Sequence, residues 1–192
     1  FLYVNYFGIK ASYIEDLCQQ VSNVIVDNSQ SFFAKKHKGV DTIYSPRKFF
    51  GVPDGGYLYT DVILEHSLPT DISESRLAHL LKRIEGGARH GYSDYLKSEE
   101  NLSNQPIKLM SVLTRKILQS VNYESARTIR NYNFKFLHDR LSSYNQLSNV
   151  IDNASIDGPM TYPFLTMNSG LKNKLLENDI FIPTYWSEVS SN

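Results

Sequence analysis

The chain holds a single cysteine, Cys18, so it can form neither an internal disulfide nor a thiolate metal cluster, in keeping with a reducing, cytoplasmic setting. It also lacks an excess of either charge. Twenty Lys and Arg stand against twenty Asp and Glu, a formal net charge of zero, which argues against nucleic acid or an anionic membrane as a partner. No apolar run approaches the ~18 residues of a membrane span, and the opening Phe1-Leu2-Tyr3-Val4-Asn5 has no basic region or cleavage site of a signal peptide. The five histidines, His37, His66, His79, His90 and His138, are scattered without His-Glu-x-x-His or a Cys pair, so metal-ligand spacing is absent. Aromatic residues, by contrast, are abundant. Thirteen Tyr, ten Phe and one Trp carry more apolar surface than a disordered chain of 192 residues would, and at ~150 residues per domain the length fits one domain with part of a second. The strand-like opening without an initiator Met, and the close just after an apolar segment at Ile180-Phe181-Ile182-Pro183, suggest a piece of a longer chain.

The first third alternates between two periodicities. Phe1–Phe7 reads as a strand closed by Gly8, Tyr13–Asn23 as a helix with Ile14, Leu17, Cys18 and Val21 on one side, and Val24-Ile25-Val26 as a strand covered on both faces. Thr42-Ile43-Tyr44 and Tyr57–Val62 read as further strands, so the class expected is α/β with a mainly parallel sheet. From Ile72 the pattern turns helical. Leu77, Leu80, Leu81 and Ile84 form a stripe stopped by Gly86-Gly87, and a second helix runs through Tyr95–Asn101. Pro106 is expected to open a third helix, and Tyr123–Leu141 to form a fourth. Asn145–Gly158 reads as a polar loop, Thr161–Leu165 as a strand, Gly170–Asn178 as a short helix and Phe181–Pro183 as a strand end, together a small α+β unit. The divisions are 1–70, a sheet domain; 71–142, a helical connection; and 143–192, the small unit.

In parallel sheets, ligands bind beyond the carboxyl ends of the strands, where Asp27-Asn28-Ser29-Gln30 and Ser45-Pro46-Arg47-Lys48 both fall. An acid, an amide, a hydroxyl and an amine in one crevice match the needs of pyridoxal phosphate. That cofactor takes a Lys for a Schiff base, an acid for its ring nitrogen, a hydrogen bond to its phenolic oxygen and donors for its phosphate. Lys48, Asp27, Gln30 and Ser45 can supply one each. Gly51-Val52-Pro53-Asp54-Gly55-Gly56 lacks the Gly-Lys-Ser/Thr ending of a phosphate-binding nucleotide loop and reads as a turn.

Val26-Asp27-Asn28-Ser29-Gln30 resembles the Asp-x-x-His/Gln segment of the DegT/StrS-type sugar aminotransferases, and Lys48 followed by Asp54-Gly55-Gly56 resembles their Lys-x5-Glu-Gly-Gly run, with Asp for Glu. Asn5-Tyr6-Phe7-Gly8, Pro159-Met160-Thr161-Tyr162-Pro163-Phe164 and Ile182-Pro183-Thr184-Tyr185-Trp186 extend the similarity over nearly the whole chain. The resemblance implies the fold-type-I large domain of pyridoxal-phosphate enzymes, followed by helices and a small α+β domain, without the family's N-terminal part and C-terminal end. It also implies Lys48 as the Schiff-base lysine and proton carrier, Asp27 at the pyridinium nitrogen, Gln30 at the phenolic oxygen and Ser45 at the phosphate. Ser45 stands three residues before the lysine where the family places its serine five before, and Phe49 takes the place of a small polar residue. The activity implied is transfer of an amino group, from glutamate, to a nucleotide-linked keto sugar in surface polysaccharide or amino-sugar synthesis, by a cytoplasmic homodimer. Arg47 and the stretch Gly86–Tyr92, read as a polar loop carrying Arg89, His90 and Tyr92, are the candidate substrate contacts.

The same residues admit two other readings. Ser45-Pro46-Arg47-Lys48 also fits the Ser-x-x-Lys of acyl-serine enzymes, but Ser93-Asp94 is followed by Tyr95, Lys-Thr-Gly is absent, and Pro53 with its neighbouring glycines opposes the helix that motif needs. The other is a truncated, non-catalytic domain of the same fold.

Overall fold

A computed structural model describes residues 1–63, 67–183 and 185. The chain is mixed α/β. Four short strands, β1 (Leu2–Val4), β2 (Ile25–Asp27), β3 (Asp41–Tyr44) and β4 (Tyr57–Tyr59), form one sheet in the order β1-β2-β3-β4. The first two pairings are parallel and β3 with β4 is antiparallel, in a register that sets Val4 beside Asp27, Asp27 beside Ile43, and Ile43 beside Leu58. Six helices are described: α1 (Tyr13–Gln20), α2 (Ala78–Leu102), α3 (Val112–Gln119), α4 (Tyr123–Leu141), α5 (Ser148–Asp152) and α6 (Leu171–Glu177).

Strand alternation turns Tyr3, Val26, Thr42 and Tyr44 to one side and Leu2, Ile25, Ile43 and Leu58 to the other. The helix α1 packs Ile14 onto the first side against Val24 and Val26, with Leu17, Cys18 and Val21 around them. The expectation that Ile25 would be covered as well is corrected, because Ile25 is 39% exposed and Leu58 51%. Topology supplies the reason. Crossovers between parallel strands are almost always right-handed, and two such crossovers stepping the same way, as β1 to β2 to β3 do, fall on one face and leave the second open. The link between β2 and β3 is a series of turns carrying Phe32, whose ring meets Tyr44, Phe49, Phe50, Tyr57 and Tyr123. This aromatic cluster joins the sheet to α4.

The helix α2 is two arms. Gly87 lies at φ 79°, ψ −179°, outside helical geometry, and Lys82 Nζ stands 2.6 Å from Asp94 Oδ2. Twelve residues of straight helix would separate that pair by about 18 Å, so the arms fold back on each other. Gly91 lies at the seam, where a β-carbon would stand 2.5 Å from the His79 carbonyl oxygen. The stop expected at Gly86-Gly87 is therefore present. The polar loop expected through Tyr92 is not, since Ala88–Tyr92 belongs to the second arm.

The helix α3 begins later than Pro106 suggested, because Leu109 is in a bridge with Thr70 and Ser111 caps the helix by accepting from the Thr114 amide. Asn122 caps α4 in the same way through Ser125. Beyond α4, the expected loop contains α5, and neither Thr161–Leu165 nor Phe181–Pro183 forms a strand. The buried Asn145 takes the place of a partner strand: its Nδ2 donates to the Pro163 carbonyl and its Oδ1 accepts from the Leu165 amide. Among the described residues the last fifty are thus helical and irregular, where an α+β unit was expected. His66, Thr184 and Trp186 lie outside the described residues.

Candidate functional site

The carboxyl ends of β1, β2 and β3 are joined by two buried asparagines. The Asn5 amide N–H donates to the Asp27 carbonyl at 3.0 Å, the Asn28 amide N–H to the Ile43 carbonyl at 2.8 Å, and Asn5 Nδ2 to Asn28 Oδ1 at 2.9 Å. Both side chains are fully buried. Neither was singled out as a site residue from the sequence, although an Asn directly after each apolar strand was the available signal.

On this shelf Asp27 ends β2 and folds its carboxylate back, Oδ1 accepting from the Ser29 amide at 2.7 Å, a turn that short acidic side chains favour. Ser29 in turn meets the lysine. Lys48 closes the tight turn Pro46–Lys48 just past β3, and its Nζ donates to Ser29 Oγ at 3.4 Å. Ser29 therefore links two residues from different strand ends, Asp27 through its backbone and Lys48 through its hydroxyl. Gln30, one residue on, is buried with Oε1 unpartnered. Next to it Ser31 rests on Gly8, which has a positive φ of 79° and where a β-carbon would stand only 2.8 Å from Ser31 Oγ, so the position favours glycine. Ser45 is half-buried at the head of the lysine turn and its hydroxyl does not cap it. Asp27, Gln30, Ser45 and Lys48 thus gather at one end of the sheet.

The lysine turn and the run that follows it to Asp54 are anchored from three helices. Arg47 pairs with Glu99 on the second arm of α2, Arg130 of α4 donates to the Phe49 carbonyl at 2.9 Å, and Asp54 accepts from the Ser111 amide at 2.8 Å. Burial pulls the Arg130 guanidinium below its ordinary pKa. Asp54, in the run matched to Glu-Gly-Gly, is buried and occupied by α3, with Gly55 at φ 101° packed against Met110.

The substrate candidates separate from this group. Arg89 pairs with Asp179 at 3.0 Å and covers the Phe181 ring, Tyr92 stacks with Tyr95, and His90 lies against Gly86. No hydrogen bond, ion pair or ring contact among the described residues joins Arg89, His90 or Tyr92 to Lys48, Asp27, Gln30 or Ser45. Arg47 is the exception in position, one residue from Lys48, though its guanidinium is engaged by Glu99.

Among the described residues no group of three or more His, Cys, Asp and Glu could hold a metal ion, and no helix is long and apolar enough to cross a membrane. Comparison with family models, with curated proteins and with solved structures returns no match.

Proposed function

We propose that the chain carries the cofactor end of a pyridoxal-phosphate-dependent aminotransferase, acting as a homodimer on a keto sugar, nucleotide-linked, with glutamate as amino donor. The observation that carries the reading is the Ser29 link, which brings the Lys48 amine and the Asp27 carboxylate to one strand-end shelf from separate connections. The polar groups left over fit the cofactor. Gln30 Oε1 is buried without a partner, and the Ser45 hydroxyl makes no hydrogen bond among the described residues, so both have capacity for a polar ligand.

When bound, pyridoxal phosphate supplies an aldehyde and an electron-accepting ring. Lys48 is the amine that would hold it covalently, and once released Lys48 Nζ can take a proton from the substrate carbon and return it elsewhere. Its exposed position suits that exchange. Asp27 would keep a proton on the ring nitrogen, an ion pair that favours the charged carboxylate. Gln30 can rotate its amide to donate to an oxygen, and Ser45 can donate to a phosphate.

Loaded with pyridoxal phosphate, the chain is expected to convert L-glutamate to 2-oxoglutarate in one half-reaction, the amino group passing to the cofactor and the yield reaching at most one equivalent per chain, followed as a single-turnover rate. Asp27→Asn should lower that rate by about a hundredfold or more, the scale of losing one preorganised electrostatic partner. An unchanged rate in a folded Asp27→Asn protein overturns the assignment of Asp27.

A further inference from the structure

The lysine turn ends in two amides that share one acceptor. Phe49 N and Phe50 N both donate to the Pro46 carbonyl, at 3.0 and 2.9 Å, which closes the turn around Lys48 but leaves its orientation toward Ser29 to whatever holds the outer side. On that side, beside the Arg47–Glu99 pair, Arg130 holds Phe49. Arg130 Nη2 donates to the Phe49 carbonyl at 2.9 Å, its guanidinium lies 4.7 Å above the Phe49 ring, and Nη1 reaches the Pro159 and Met160 carbonyls at 3.1 and 3.3 Å. The residue after Lys48 is thus gripped at both backbone and ring by a cation fixed at its far side to a separate segment.

We infer that Arg130 is a positioning residue for Lys48, setting the direction in which the lysine amine leaves the turn. The inference rests on the proposed role of Lys48 as the cofactor-bearing amine. The guanidinium shape is what the arrangement uses. A planar fork can serve carbonyls of two segments while standing over an aromatic ring, whereas an ammonium is a compact point charge less suited to both. Arg130 is half-buried, and its partial withdrawal from water strengthens these bonds.

The test compares the full chain with Arg130→Lys, which keeps the charge and loses the fork. Each is treated with pyridoxal phosphate and borohydride, and the label on Lys48 is measured against that on exposed Lys116 of the same molecule, a ratio that a general loss of stability does not move. Amide hydrogen exchange at Phe49 and Phe50 is followed without cofactor, against Val26 and Asp27 of β2. Loss of a hydrogen bond from a charged group predicts about a tenfold fall in the Lys48 ratio and about a tenfold rise in exchange at Phe49 and Phe50, with β2 unchanged. A folded variant in which either quantity stays at its wild-type value overturns the inference. If the wild-type chain shows no preference for Lys48, the cofactor reading fails, and the exchange measurement then decides the positioning of the turn by itself. Should Arg130→Lys not fold, Phe49→Leu, which removes the ring beneath the guanidinium together with its contacts with Phe32, Phe33 and Phe50, is expected to lower the Lys48 ratio about threefold. No change there also overturns it.

Discussion

Asp54 offers the sharpest test of how the lysine turn is held. Its carboxylate, 4% exposed, accepts from the Ser111 amide at 2.8 Å, from the Ser111 hydroxyl at 2.7 Å and from the Thr114 hydroxyl. The Ser111 oxygen is then saturated. Its one proton goes to Asp54, and it accepts from the Thr114 amide and from Ser73, which must therefore be the donor of the 2.7 Å Ser73–Ser111 contact. Asp54→Ala leaves three donors facing an emptied acceptor. At about 1 to 3 kcal/mol for each buried group left unpaired, with partial relaxation, the loss should reach about 3 to 5 kcal/mol, a large part of the roughly 5 to 15 kcal/mol that holds a domain together. Asp54→Asn retains one acceptor oxygen and should cost about half as much. Urea unfolding followed by far-ultraviolet circular dichroism gives both values. A loss below about 1 kcal/mol in Asp54→Ala would show that the carboxylate is solvated and that α3 does not anchor the turn.

Acid stability should depend on Asp71. Desolvation alone would raise its carboxyl, but hydrogen bonds from Lys108, at 3.2 Å, and from Arg76 outweigh that and hold it below the usual carboxylate range. A carboxyl depressed in the folded state contributes stability that is present above its unfolded pKa and lost as pH falls through the folded one. Asp71→Asn should accordingly flatten the acid limb of stability below about pH 4, and a limb of unchanged slope in urea titrations would contradict the pairing. Gly158→Ala should destabilise by about 2 to 4 kcal/mol, because φ is 55° and a β-carbon would overlap the Phe33 ring; a melting temperature equal to wild type would refute the close packing.

The readable parts of the sequence were those governed by local rules. The helix α4 has the bounds its pattern gave, Tyr123–Leu141, because Asn122 caps it and its apolar spacing is helical. Gly87 stopped its helix for a similar reason, having a backbone conformation that other residues rarely adopt. Long-range partners were not readable. Asp54 and Ser111 are 57 residues apart, and Phe49 and Arg130 are 81 apart, so nothing in either segment announces the other. Thr161–Leu165 has the composition of a strand but no neighbouring strand among the described residues, and the Asn145 side chain meets the Pro163 carbonyl and the Leu165 amide instead. At the site, the grouping of Asp27, Gln30, Ser45 and Lys48 followed from strand order alone, whereas the link through Ser29 depends on a side-chain position that spacing does not specify. The stretch Gly86–Tyr92 misled because its glycines and charges suit a loop, yet only Gly87 departs from helical geometry.

Lys48 as the proposed cofactor-bearing amine is tested by mass mapping of the chain after incubation with pyridoxal phosphate and borohydride reduction. The expected result is a dominant label on the peptide containing Lys48, well above that on any exposed lysine, and lost in Lys48→Ala. A label spread evenly over the exposed lysines, or one that survives in Lys48→Ala, would contradict it.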